Sequence, residues 1–251
     1  MEHENFQIQY EFHDSLPSTN NYVKEAAARG AKEGLVVIAK KQTAGKGRLG
    51  RSFFSPESSG LYMSLLLRPS FPPRESISIT TCAAVAVARA VEGLLNESVQ
   101  IKWVNDIYRN GRKVCGILTE AACSGEMAMD YAVLGIGINL TEPEHGFPDD
   151  LRTKPTALYP YGTMPDDVPM KLAAEILRLF QVYYPELTSH RYMQEYRSRS
   201  MLTGREVNFT YLGEHCSGMV TGIDDEAHLL VTMKNGTVLE LSSGEVSVTP
   251  A

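Results

Sequence analysis

Residues 34–51 read GLVVIAKKQTAGKGRLGR, and the fold turns on how this stretch is divided. The β-branched apolar run makes 34–42 a strand, and three glycines alternating with cationic side chains make 42–51 a loop at its end. A loop after a strand, with glycines that let backbone N–H groups approach a ligand and with Lys46, Arg48 and Arg51 supplying charge, suits an anion. The same composition also serves as a solvated connection. Two familiar phosphate motifs are excluded. Arginine rather than lysine-serine or lysine-threonine follows Gly47, and GKGRLG at 45–50 opens no helix, because PESSG at 56–60 leads into another strand.

Outward from the loop, strands and helices intersperse. FQIQYEF (6–12) reads as a strand, and DSLPSTNNYVKEAAARG (14–30) holds a helix capped by Ser18 or Thr19 and ended at Gly30. LYMSLLLRP (61–69) is a strand, 76–96 a helix with small residues for close packing, and VQIKWVND (99–106) a strand with a polar end at Asn105-Asp106. YRNGRKVCGILTEA (108–121) reads as a hairpin turning at Asn110-Gly111, and YAVLGIGINL (131–140) as a further strand. Residues 141–165 are loop-like. The helix at 167–185 carries a stripe of Leu172, Ile176, Leu179 and Tyr183, and 190–201 forms a shorter helix. From Gly204 the pattern becomes four or five short strands separated by LG, DDE and NG turns, a small barrel or sheet that leans on the larger part. The expected class is α+β: a mixed sheet with helices on one face, residues 1–202, followed by a small β module, 203–251.

Bulk properties narrow the function. A formal charge of −6 over 251 residues gives no general reason to expect nucleic-acid binding, although a local basic loop can still focus one anion. The apolar segment at 79–95 contains an arginine and a glutamate and falls short of a bilayer span, and the acidic N-terminus is unlike a signal peptide. Cys82, Cys115, Cys123 and Cys216 lack CxxC spacing and read as buried free thiols of a cytoplasmic protein; the histidines have no ligand spacing.

Three further clusters carry chemistry. An Asn-Asp pair at a strand end suits Mg²⁺ or a ribose, and period-2 counting puts Lys102 on the same side as Asp106. Lys113 enters an apolar strand, where it either snorkels or serves a site. Gly135 and Gly137 mark close backbone approach in a strand, with the Asn139 amide at its end. STNNY (18–22) on its own reads as a helix cap.

Taken together, STNN (18–21), QTAGKGRLGRSFFSP (42–56), GLYMSLLLRP (60–69), KWVNDIY (102–108), KVCGILTE (113–120) and GIGINL (135–140) resemble the biotin protein ligases, in family order and over nearly the whole chain. The resemblance implies a class II aminoacyl-tRNA synthetase-like catalytic fold with a C-terminal SH3-like β-barrel. It implies ATP and biotin as substrates, Mg²⁺ as cofactor, and a biotin carboxyl carrier domain as acceptor. Ser18, Thr19, Asn20 and Gln42 then meet the biotin head group. The loop residues Gly45, Lys46, Gly47, Arg48 and Arg51 wrap biotin and the adenylate, with Arg48 on carboxylate and phosphate. Lys113 stands at the family's essential lysine; Lys102 and Asp106 serve phosphates or Mg²⁺, with Asn105 beside them. Gly116, Ile117 and Leu118 line the biotin pocket, Gly135 and Gly137 approach the ligand by their backbones, and Asn139 approaches adenine. Phe53 takes the place of a stacking tryptophan, and Lys46 that of an arginine, which loses a bidentate fork. No helix-turn-helix precedes the first strand, so DNA binding is not expected. Monomer and homodimer both fit. The competing readings are a lipoate or octanoate ligase or transferase, a DNA-binding biotin sensor, and a carrier-binding protein without catalysis.

Overall fold

The computed structural model describes residues 6–124, 129–151, 153–244 and 246–248. In chain order these form β1 (Gln9–His13), α1 (Thr19–Ala28), β2 (Leu35–Ala39), β3 (Gly60–Leu67), α2 (Ser76–Leu95), β4 (Gln100–Lys102), β5 (Asp106–Arg109), β6 (Arg112–Ala122) and β7 (Tyr131–Asn139). There follow α3 (Val168–Tyr183), α4 (Met193–Ser198), β8 (Glu206–Tyr211), β9 (Glu214–Ile223), β10 (Leu229–Met233), β11 (Val238–Leu241) and β12 (Val246–Val248). Seven strands make one mixed sheet in the order β1-β2-β3-β7-β6-β5-β4, with β1 parallel to β2 and the other pairs antiparallel.

The two faces of this sheet differ in what covers them. Leu61, Met63, Leu65, Ile136, Ile138 and Ile117 point to one face and bury against α2, α3 and α4 in a single large core. The apolar segment 79–95 is the body of α2, and its small residues, Ala83, Ala84, Ala86 and Ala88, are fully buried there. The other face carries Val37, Leu66 and Val133, on which α1 sets Val23 and Ala27. Beyond α1, the row Gly116, Gly135 and Gly137 leaves that face low, and a site has room to form above it.

The expected placing of helices on one face holds for α2, α3 and α4 but not for α1, which packs on the other face. Two further sequence readings change. VQIKWVND is not one continuous strand: the chain reverses at residues 103–105, so Lys102 at the end of β4 pairs across a hairpin with Asp106 at the start of β5. They share a face as cross-strand partners, not as residues of one strand. The following hairpin turns at Asn110-Gly111, whose φ angles of 50° and 74° suit a two-residue turn.

The second change concerns the C-terminal unit, where the expected SH3-like barrel is not found. Its five strands lie in the order β11-β10-β9-β8-β12, and neither edge strand pairs with the other among the described residues. The sheet stays open because its apolar face is covered from outside. Val207, Phe209, Val220, Leu229 and Val231 join the core that contains Trp103 and Tyr196, so burial does not require closure. Polar links accompany this packing: Trp103 Nε1 donates to the Ala227 carbonyl at 2.8 Å, and Arg197 Nε to that of Ile223 at 2.6 Å. Cys82 and Cys115 are buried free thiols as expected, but Cys123 is exposed.

Candidate active site

The site begins with a β-bulge. Cys115 lies on the core face of β6, and Lys113, two residues earlier, would point the same way in a regular strand. The register between β5 and β6 shifts at Ile107/Tyr108, so that Val114 and Cys115 both stand opposite Ile107 and Lys113 pairs with Tyr108. Lys113 therefore emerges on the low face, its Nζ 2.8 Å from Asp106 Oδ1. Asp106 Oδ1 is buried, and this ammonium is its charge partner.

The loop after β2 folds over the same face. Gly47 donates to the Arg51 carbonyl at 2.7 Å and Phe53 to that of Gly45 at 2.9 Å, closing 45–53 on itself. Arg48 Nη1 donates to Asn105 Oδ1 at 3.2 Å, while Asn105 Nδ2 holds the Ile117 carbonyl at 2.8 Å. The chain at 103–105 is backed by Tyr196, whose buried hydroxyl donates to the Val104 carbonyl at 3.0 Å. Burial draws the Arg48 guanidinium below its ordinary pKa, while nearby Asp106 acts in the opposite direction.

At the far end, α1 delivers polar groups. Ser18 is the N-cap residue of α1, but its side chain makes no capping bond. Thr19 instead uses both its backbone N–H and its hydroxyl on Gln42 Oε1, at 2.9 and 3.1 Å, and Gln42 Nε2 donates to Ser55 Oγ at 3.0 Å. The strand glycines make room for side chains. A Cβ on Gly135 would collide with the Asn20 amide, and one on Gly137 would lie 2.7 Å from the Phe53 ring. The same ring lies 6.0 Å from Lys113 Nζ, a cation–π distance.

These groups enclose a cavity of about 220 Å³. Of the residues named from sequence, Ser18, Thr19, Asn20, Gln42, Lys46, Gly47, Arg48, Arg51, Phe53, Lys102, Asn105, Asp106, Lys113, Gly116, Ile117, Leu118, Gly135, Gly137 and Asn139 line it. Gly45 does not. A Cβ there would meet the Phe53 carbonyl and Ser55 Oγ, at 2.5 and 2.7 Å, so this glycine serves the loop's own packing. Lys46 is exposed and donates to Asn21 Oδ1 at 2.7 Å, and Asn139 Nδ2 donates to the Thr156 carbonyl at 3.0 Å.

The sequence reading missed the wall opposite α1. Phe147, Leu151, Thr153 and Pro155 come from the stretch read as loop, and Gly244 and Val246 from the C-terminal sheet. Residues 154–158 run beside β6 and β7, with backbone bonds Lys113 N to Lys154 O, Thr156 N to Lys113 O and Leu158 N to Asn139 O. No local periodicity signals this, because the partner strands are distant in sequence.

Among the described lining residues are five cations (Lys46, Arg48, Arg51, Lys102 and Lys113) and one carboxylate, Asp106. On a chain of net charge −6 this is a focused positive field, suited to an anionic ligand with a polar head at Thr19–Gln42.

Comparison with known proteins agrees with this geometry. The model of the biotin/lipoate A/B protein ligase family matches residues 12–139, and that of the biotin protein ligase C-terminal domain matches 202–248. The bifunctional ligase/repressor BirA of Bacillus subtilis is 36% identical over 228 residues, 90% of this chain and 70% of that protein. The biotin–[acetyl-CoA-carboxylase] ligase of Mycobacterium tuberculosis is 29% identical over 91% of this chain and 85% of its own length. A biotin protein ligase from Aquifex aeolicus, solved with biotin and ATP, superposes with a TM-score of 0.78 at 25% identity, covering 98% of this chain and 100% of that one. The chain belongs to the biotin/lipoate A/B protein ligase family.

Proposed function

We propose that this chain is an ATP-dependent biotin–protein ligase. The observation that carries the reading is one cavity with a polar pocket, Thr19 and Gln42, at one end and the cations Arg48 and Lys113 at the other. Biotin is a neutral cyclic urea joined by an apolar tail to a carboxylate, and this layout matches it end for end. The match to the biotin-specific C-terminal model favours biotin over lipoate.

The reaction has two steps. The biotin carboxylate oxygen attacks the α-phosphorus of ATP, the bond to the β-phosphate oxygen breaks, and pyrophosphate leaves. Arg48 and Lys113 hold the two anions together and stabilise charge on the phosphoryl oxygens. The acceptor lysine amine, on a biotin carboxyl carrier domain, then attacks the carbonyl of biotinyl-5′-AMP. An amide forms, AMP departs, and the amine proton goes to solvent. No enzyme nucleophile is needed.

Asp106 is the residue we assign to Mg²⁺, since it is the one carboxylate among the described residues that line the cavity, and a hard cation takes oxygen ligands. Bound there, Mg²⁺ supplies neutralisation of phosphate charge. Phe53 offers a face for adenine, and Lys102 and Asn105 border the phosphate end. We read residues 1–202 as the catalytic unit of a cytoplasmic enzyme and 203–251 as an accessory unit.

The test is incubation with biotin, Mg-ATP and a biotin carrier domain, followed by mass measurement of the acceptor. One biotinyl group is gained with the wild type and lost with K113A, and lipoate in place of biotin leaves the acceptor unmodified. An acceptor unmodified by the wild type, or modified equally by K113A, overturns the proposal.

A further inference from the structure

Beneath the polar end of the cavity lies a second layer of groups whose hydrogen bonds run in one direction. Ser64, fully buried on β3, has its Oγ 2.6 Å from Asn20 Oδ1 and 2.8 Å from Thr19 Oγ1. Asn20 Nδ2 faces the Leu118 carbonyl at 3.4 Å and Glu120 Oε2 at 2.8 Å. A carbonyl and a carboxylate only accept, so the amide nitrogen must face them and the amide oxygen must face Ser64. Lys24 Nζ, 2.6 Å from Glu120 Oε1, holds the other carboxylate oxygen. Burial pushes the Glu120 carboxyl up, but the bonds from Lys24 and Asn20 more than reverse this, and the group lies below its ordinary range.

The remaining protons follow. Ser64 has one, and Asn20 Oδ1, which can only accept, takes it; Ser64 then has only lone pairs to offer Thr19. Gln42 Oε1 already accepts the Thr19 backbone N–H, so it too presents lone pairs to the Thr19 hydroxyl. Both protein neighbours of Thr19 Oγ1 therefore claim its proton, and toward the cavity this hydroxyl can only accept.

We propose that Ser64 is a positioning residue which, with the Glu120–Lys24 pair, sets the direction of the hydrogen bonds under the cavity so that Thr19 reads an N–H donor of the ligand's cyclic urea. The inference rests on the ligase reading and adds to it the basis of head-group selectivity. Ser64 does not touch the ligand: it acts through Thr19 and Asn20. Glu120 does the same from beneath.

The test compares wild type, Ser64→Ala and Glu120→Gln by calorimetric binding of biotin and by steady-state adenylation. It includes two oxa analogues, each with one ring N–H of the urea replaced by oxygen. In the wild type one analogue binds about 100-fold more weakly than biotin, because two lone pairs then face each other. In S64A the KM for biotin rises about tenfold with kcat nearly unchanged, and the discrimination against that analogue narrows about tenfold. Glu120→Gln conserves volume but lets an amide N–H face Asn20, so it weakens the same discrimination roughly threefold, and it carries the test if S64A does not fold. A wild type that binds biotin, with both variants keeping its KM and its discrimination, overturns the assignment alone. A wild type that binds neither biotin nor an analogue overturns the ligase reading and this assignment with it.

Discussion

Lys113 and Arg48 approach the cavity from different elements, one from a bulged strand and the other from a glycine-rich loop. Each lines the cavity with a cation. Replacing either by alanine removes a charge-assisted contact to the reacting anions, and the rate of biotin-dependent pyrophosphate release should fall on the order of 10²-fold. Phe53 depends on an absence. Its ring occupies the space over Gly137 and Gly116, where a Cβ would stand 2.7 and 3.2 Å away. Gly137→Ala should tilt the ring and lower kcat/KM roughly tenfold, with the far-ultraviolet circular dichroism unchanged. A variant with wild-type kinetics would mean that the ring carries no part of the binding.

At the scale of elements, α1 is held to the sheet by two kinds of contact. Val23 and Ala27 bury against Val37, Leu66 and Val133, and the polar side hangs on Glu120 of β6. Because the folded-state pKa of Glu120 is lowered, its ionised form favours the native state. That contribution is fully present above the ordinary carboxylate range and is lost as pH falls through the lowered value. The melting temperature of the wild type should therefore drop more steeply on acidification than that of Glu120→Gln, followed by calorimetry from neutral pH downward. Parallel curves would show that the pair does not anchor the helix. The bulge in β6 belongs to this scale too, since one additional residue decides which side of the sheet receives a lysine.

Across the whole molecule, one core spans both sheets, and Trp103 stands where they meet. Its indole N–H satisfies the Ala227 carbonyl of the C-terminal sheet while its residue borders the cavity. Trp103→Phe keeps most of the apolar contact and leaves that carbonyl unpaired, a loss of about 1 kcal/mol in urea unfolding of the full chain. Gly244 and Val246 reach the cavity from the same sheet, so loosening the junction should also raise the KM for ATP. An unchanged KM would separate the junction from the site.

The order of strands and helices, the Asn110-Gly111 turn and the identity of the cationic loop follow from residues within a few positions of one another. These are patterns of periodicity, turn chemistry and local charge, and a linear reading captures them. Tertiary structure alone decided the rest. The chain reversal at 103–105 makes Lys102 and Asp106 partners across a hairpin, and the bulge at Val114 moves Lys113 off the core face. The glycines of β7 clear space for Asn20 and Phe53, which come from distant segments, and 154–158 forms a wall that no periodicity announces. The C-terminal sheet remains open because a surface outside it covers its apolar face. In each case the deciding contact lies between residues far apart in the chain. Its free energy depends on what packs opposite, and a single strand of sequence does not carry that information.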